Sequence, residues 1–159
     1  MHTQIRTQLI IALALLLAAA APRSAHAAVC NIAGSTISFG TYDPFATQPR
    51  DSNTTIEVTC SGSNETVSFS LMATSGYGTF ANRQAHSGTT VLAYNLFIDV
   101  GRTQIWGDGS QGTAIIQDSI TITSTPVSKN YVIYGRIPGP QSSAIAASYS
   151  DDLTVTVRY

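Results

Sequence analysis

Charge is scarce in this sequence. Of its 159 residues only 11% are Asp, Glu, Lys or Arg, and Lys129 is the single lysine. A chain so short of Lys and Glu, and so rich in Ser, Thr and Gly, is poorly supplied for helix faces and well supplied for strands and turns. No basic patch or stripe is present, which excludes nucleic acid as a partner on electrostatic grounds. Beyond residue 27, one lysine and five arginines stand against nine carboxylates, a net charge of −3. Cysteine is limited to Cys30 and Cys60, and His86 is the one histidine of that region. Three such ligands are too few for a zinc site. Closely spaced carboxylate pairs of the glycosidase kind are missing too.

Long apolar runs are also absent, with one exception. MHTQIRTQ carries Arg6, the run Leu9 to Ala21 follows, and Ala25-His26-Ala27 closes the segment with small residues at both cleavage positions. This is the three-part layout of a secretory signal peptide, expected to be removed after Ala27. The apolar run is shorter than the ~20 residues that a membrane span requires. The expected mature domain is then 28–159, long enough for one domain with its own core. Export places Cys30 and Cys60 in an oxidising medium. A disulfide between them is the simplest outcome, two free buried thiols being the alternative.

What is present alternates with a period of two. Expected strands lie at 36–39, 54–60, 66–73, 91–100, 114–116, 119–123, 130–137 and 152–159, separated by Gly, Pro, Ser and Asn. Short strands with regular turn signals predict an all-β sandwich. The segments 41–53 and 74–90 read as surface loops. Val91 to Val100 is more continuously apolar, as in a central strand. The last strand places Leu153, Val155, Val157 and Tyr159 on one face and Thr154, Thr156 and Arg158 on the other.

Several motifs invite chemistry. WGDGSQGT at 106–113 matches G-x-G-x-x-G, but strand-like AIIQ and SITIT follow where a dinucleotide site needs a helix. A glycine-rich turn is the better reading. Ser110 misses the nucleophile elbow by one glycine, and His86, the base it would require, reads as a surface residue. Asp151-Asp152 form no calcium loop and read as charges guarding an edge strand. Asn53 and Asn64 open formal glycosylation sequons. Tyr42, Phe45, Tyr77 and Phe80 are loop aromatics. They either pack beneath their loops or meet a surface or a sugar. No catalytic residue, cofactor or metal site is expected.

Taken together, the Cys30/Cys60 pair, FGTYDP (39–44), VTC (58–60), YNLFID (94–99), WGDGSQGT (106–113), IYGRIPGPQ (133–141) and YSDDLTVTVRY (149–159) resemble the spore coat protein U domain family. That family includes subunits of archaic chaperone–usher pili. The resemblance implies an incomplete immunoglobulin-like β-sandwich lacking one strand. It also implies a non-enzymatic structural role, with a periplasmic pilus chaperone, an outer-membrane usher and neighbouring pilin subunits as partners. The lent strand would lie along Leu153, Val155, Val157 and Tyr159. One departure carries weight. Polymerising subunits hold a donor segment before the first cysteine, and here cleavage leaves Ala28-Val29. An alternating donor of useful length needs on the order of 10 residues. The chain is therefore expected to accept a strand and to donate none. Tip subunits of the family commonly carry two domains, and this chain has room for one. The rival expectations are a spore or cyst coat protein and a secreted carbohydrate-binding module.

Overall fold

The computed structural model describes residues 27–159, so the expected leader lies, apart from Ala27, outside the described residues. Nine strands and no helix make up the described chain: β1 Val29–Ala33, β2 Arg50–Ser61, β3 Glu65–Ala73, β4 Gly78–Thr79, β5 Asn82–Ser87, β6 Thr90–Phe97, β7 Ile116–Ile122, β8 Val127–Ile137 and β9 Val155–Arg158. They form two antiparallel sheets. One has six strands in the order β1-β2-β8-β6-β5-β4, the other three in the order β7-β3-β9.

The alternation seen in the sequence sets the core. Ile56, Val58 and Cys60 of β2 face Val67, Phe69 and Leu71 of β3, with Ile120 and Ile122 of β7 and Ile133 and Ile137 of β8 completing the layer. Burying an aliphatic side chain of this size contributes about 1.5–3 kcal/mol, and each strand places its polar alternates outward. The loop between β6 and β7 closes one end. Trp106 Nε1 donates to the Leu71 carbonyl at 3.3 Å, while the Trp106 amide donates to Leu96 O at 2.9 Å. One buried residue thereby ties both sheets.

Three expectations need correction. Residues 36–39 form no strand, although Ile37 and Phe39 do point the same way. They lie over Gly135, where an added Cβ would come within 2.5 Å of Ile37 and 2.7 Å of Phe39. Side chains tie this segment to β2 in place of a ladder: Arg50 Nε donates to Phe39 O at 2.8 Å and Ser52 Oγ to Ser38 O at 2.6 Å. The segment 74–90 is not one loop but carries β4 and β5. Residues 114–116 and 119–123 are not two strands; one strand, β7, runs from Ile116 to Ile122, and Ala114 makes an isolated bridge to Trp106. The central placement of β6, between β8 and β5, agrees with its continuous apolar character.

Candidate functional site

Cys30 and Cys60 form a disulfide between directly opposed residues of β1 and β2. Their Cα atoms are 4.1 Å apart, the close spacing of a non-hydrogen-bonded antiparallel pair. The bridge pins β1 to the edge of the large sheet. On the same flank of the sandwich lies β9, the edge of the small sheet, in contact with β1 but not paired with it.

β9 pairs with β3 along one side, Ala73 opposite Val155 and Leu71 opposite Val157. The phase of that ladder is fixed where it begins, because the Thr74 amide donates to Thr154 O at 3.1 Å. Bonded pairs alternate in an antiparallel ladder. The main-chain groups of Thr154, Thr156 and Arg158 therefore point at β3, and those of Val155 and Val157 point the other way. No strand among the described residues pairs with that other side. The side chains of Leu153, Val155 and Val157 pack against the core yet remain partly accessible, while Tyr159 is 54% exposed. The same residues thus present free hydrogen-bonding groups and an apolar strip. Such an edge is the template for strand addition.

The residues leading into β9 are held by a polar cluster the sequence did not reveal. Asp151 is half-buried, not an exposed guard; Asp152 alone is exposed. Asp151 Oδ2 accepts from the Tyr94 hydroxyl at 2.6 Å, and Oδ1 accepts from the Tyr77 amide at 3.2 Å. Burial, reinforced by the neighbouring Asp151 carboxylate, drives the Tyr94 hydroxyl far above its ordinary range, so it stays a neutral donor. Beside it Arg83 is 0% exposed. Its guanidinium donates to Asn95 Oδ1 at 2.7 Å, Thr74 O at 3.0 Å and Trp106 O at 2.7 Å. Desolvation lowers its pKa, and Tyr94 and Asp151 oppose that shift.

The remaining candidates separate cleanly. WGDGSQGT is a turn: Gly109 and Gly112 have φ of 88° and 76°, and Thr113 Oγ1 closes the loop onto Ser110 O at 2.7 Å. Ser110 binds Asp108, with Oγ to Oδ1 at 2.6 Å, and not His86. His86 belongs to β5, half-buried, its ring 4.4 Å from that of Tyr77. Phe80 is buried and Tyr42 half-buried, whereas Tyr77 and Phe45 are 58% and 73% exposed. Asn53 lies within β2 and Asn64 in the turn before β3. No group of three or more His, Cys, Asp or Glu side chains among the described residues is placed to hold a metal ion.

Fold and edge together define a class: an antiparallel β-sandwich whose terminal strand keeps one side open. The chain belongs to the Spore Coat Protein U domain family, whose model matches residues 14–156. That match begins inside the segment read as a leader, upstream of the domain start expected at 28. Among solved structures, the chain is similar to one from the CsuC–CsuE chaperone–tip adhesion subunit pre-assembly complex of the archaic chaperone–usher Csu pili of Acinetobacter baumannii. The similarity has a TM-score of 0.54 and 22% sequence identity, covering 84% of this chain and 40% of that one. It shows the shared fold. No curated protein matches the chain.

Proposed function

We propose that this protein is a non-enzymatic structural subunit of a surface pilus, assembled by the chaperone–usher route, which accepts a strand along β9 and donates none. The observation that carries the reading is the coincidence at Val155 and Val157 of unpaired main-chain groups and half-buried apolar side chains. Family membership and the likeness to a pilus-subunit complex support it. On this reading the chain is exported, a periplasmic chaperone lends the first strand, and a neighbouring subunit replaces that strand at the outer-membrane usher. The finished assembly stands on the cell surface. Main-chain bonds to the β9 edge supply affinity, and the apolar strip of Leu153, Val155 and Val157 supplies register. On the same reading the leader is removed after Ala27, and Ala28-Val29, ahead of a cysteine bridged to β2, are too short to serve as a donor strand.

The test compares the two faces of β9. A donor-bearing pilin of the family, or its donor peptide, is titrated against wild type, Val155→Asp, Val157→Asp and Thr154→Asp. The valine variants place an unpaired charge in an apolar seam, which costs several kcal/mol, and binding should fall by about 100-fold or more at that cost. Thr154→Asp, on the outer face, should bind nearly as wild type. Equal losses at Thr154 and Val155 would favour a coat protein that exchanges no strand.

A further inference from the structure

The acceptor edge does not stand alone: its entry is moored to the opposite sheet. Between β8 and β9 the chain bridges to β5, with the His86 amide donating to Ser150 O at 2.8 Å and the Ser150 amide returning to His86 O at 3.1 Å. One residue later Asp151 takes the Tyr94 hydroxyl of β6 and the Tyr77 amide. Gly76, at φ 64°, permits the approach, since a Cβ there would collide with the Asp151 carboxylate. Three residues on, Thr154 meets Thr74 through two bonds, its carbonyl accepting from the Thr74 amide and its amide donating to Thr74 Oγ1, both at 3.1 Å. The Thr74 carbonyl is in turn held by buried Arg83. From Thr156 onward the main-chain hydrogen bonds of β9 are those of its β3 ladder.

We infer that Asp151 is a positioning residue for strand acceptance, mooring β9 in the receptive register before any partner strand arrives. The inference rests on the acceptor reading above. A four-residue strand paired on one side alone has little to hold it, and a free strand end frays unless it is tied down. If β9 frays, only the ordered fraction can receive a partner, and the apparent affinity falls by that fraction. Asp151 would then act on the unoccupied subunit, through β9, without touching the incoming strand. A purely structural role predicts otherwise: a loss felt equally by free and occupied subunits leaves the affinity unchanged.

The experiment uses the mature chain and a donor peptide of alternating apolar residues, with association and dissociation rates measured separately. Amide exchange of the free protein is followed at Met72, Thr74 and Thr156. For Asp151→Ala we expect these amides to lose nearly all their protection, the ordered fraction falling to about a tenth, and the association rate to fall about tenfold with it at an unchanged dissociation rate. Asp151→Asn should restore both, because its amide oxygen still accepts from Tyr77 while its NH2 donates to the Tyr94 oxygen. Should Asp151→Ala fail to fold, Tyr94→Phe removes one of the two bonds at constant volume and should give a smaller shift in the same direction. Unchanged association with unchanged exchange would overturn the inference, as would a loss confined to the dissociation rate. Wild-type protein that binds no donor at all would instead refute the acceptor reading.

Discussion

Asp118 shows how one side chain links the two layers. It projects from β7 and accepts from Lys129 Nζ at 2.9 Å and the Tyr131 hydroxyl at 2.8 Å, both on β8 of the other sheet. The hydrogen bond from Lys129, with those from the Ser119 amide and Tyr131, lowers its carboxyl to about 2. A depressed acid stabilises the fold above its unfolded value, near 3.8. That contribution disappears as pH falls through the folded value. Thermal melts of wild type and Asp118→Asn should therefore differ at neutral pH, converge between about pH 4 and pH 2, and coincide below. A constant gap across that range would contradict the linkage. The disulfide gives a second residue-scale prediction. Its sequence separation is 30, which in the chain-entropy model is worth roughly 3–4 kcal/mol. Denaturation with and without reductant should show a loss of that order, and mass spectrometry without reductant should find the mature mass less two hydrogens. The cysteine pair was legible from composition and the expected export. The role of Asp151 was not, because its partners Tyr94 and Tyr77 lie 57 and 74 positions away in sequence and an Asp-Asp pair before a strand resembles a charged guard.

At the scale of elements, alternation revealed the strands whose inner faces are aliphatic. β2, β3 and β8 appeared where period-two patterning placed them, and β6 where a more continuous apolar run did, with ends shifted by a few residues. β5 was invisible for a physical reason. Its sequence NRQAHS presents a buried arginine where an aliphatic residue would mark a core strand. Such a position is recognisable only once the oxygens that accept from its two terminal nitrogens are known. The segment 36–39 failed in the opposite sense: its alternation is real, but its backbone has no ladder partner. Arg83 therefore offers the sharpest test of how β5 is held. Arg83→Leu removes the donor from Thr74 O, Trp106 O and Asn95 Oδ1 together. Stripping the partner from a buried polar group costs about 1–3 kcal/mol, and of the three bonds the one to Trp106 O is fully buried. Urea unfolding should show a lower midpoint at an unchanged slope, with a loss of about 1–3 kcal/mol. A midpoint equal to wild type would mean that β5 is held by its neighbours alone.

At the scale of the whole molecule, the small sheet meets the large one along two flanks, and neither is paired. At one, β7 lies against β8 with the Asp118–Lys129 ion pair between them. At the other, β9 lies against β1. The all-β sandwich was legible in the short alternating strands and their turn signals, whereas a missing strand was implied only by the family resemblance. Gly135 lies beneath Ile37 and Phe39, Trp106 joins the sheets, and Asp51 pairs with Arg136 at 2.7 Å. The donor question turns on the other end of the chain, where the first strand is already committed to β2 by the Cys30–Cys60 bridge. The most direct measurement is size-exclusion chromatography with electron microscopy on purified mature subunit, incubated alone and with a family pilin that carries a donor segment. The account predicts no filament from the subunit alone and a one-to-one complex with the donor-bearing pilin. Filaments grown from this subunit by itself would contradict it.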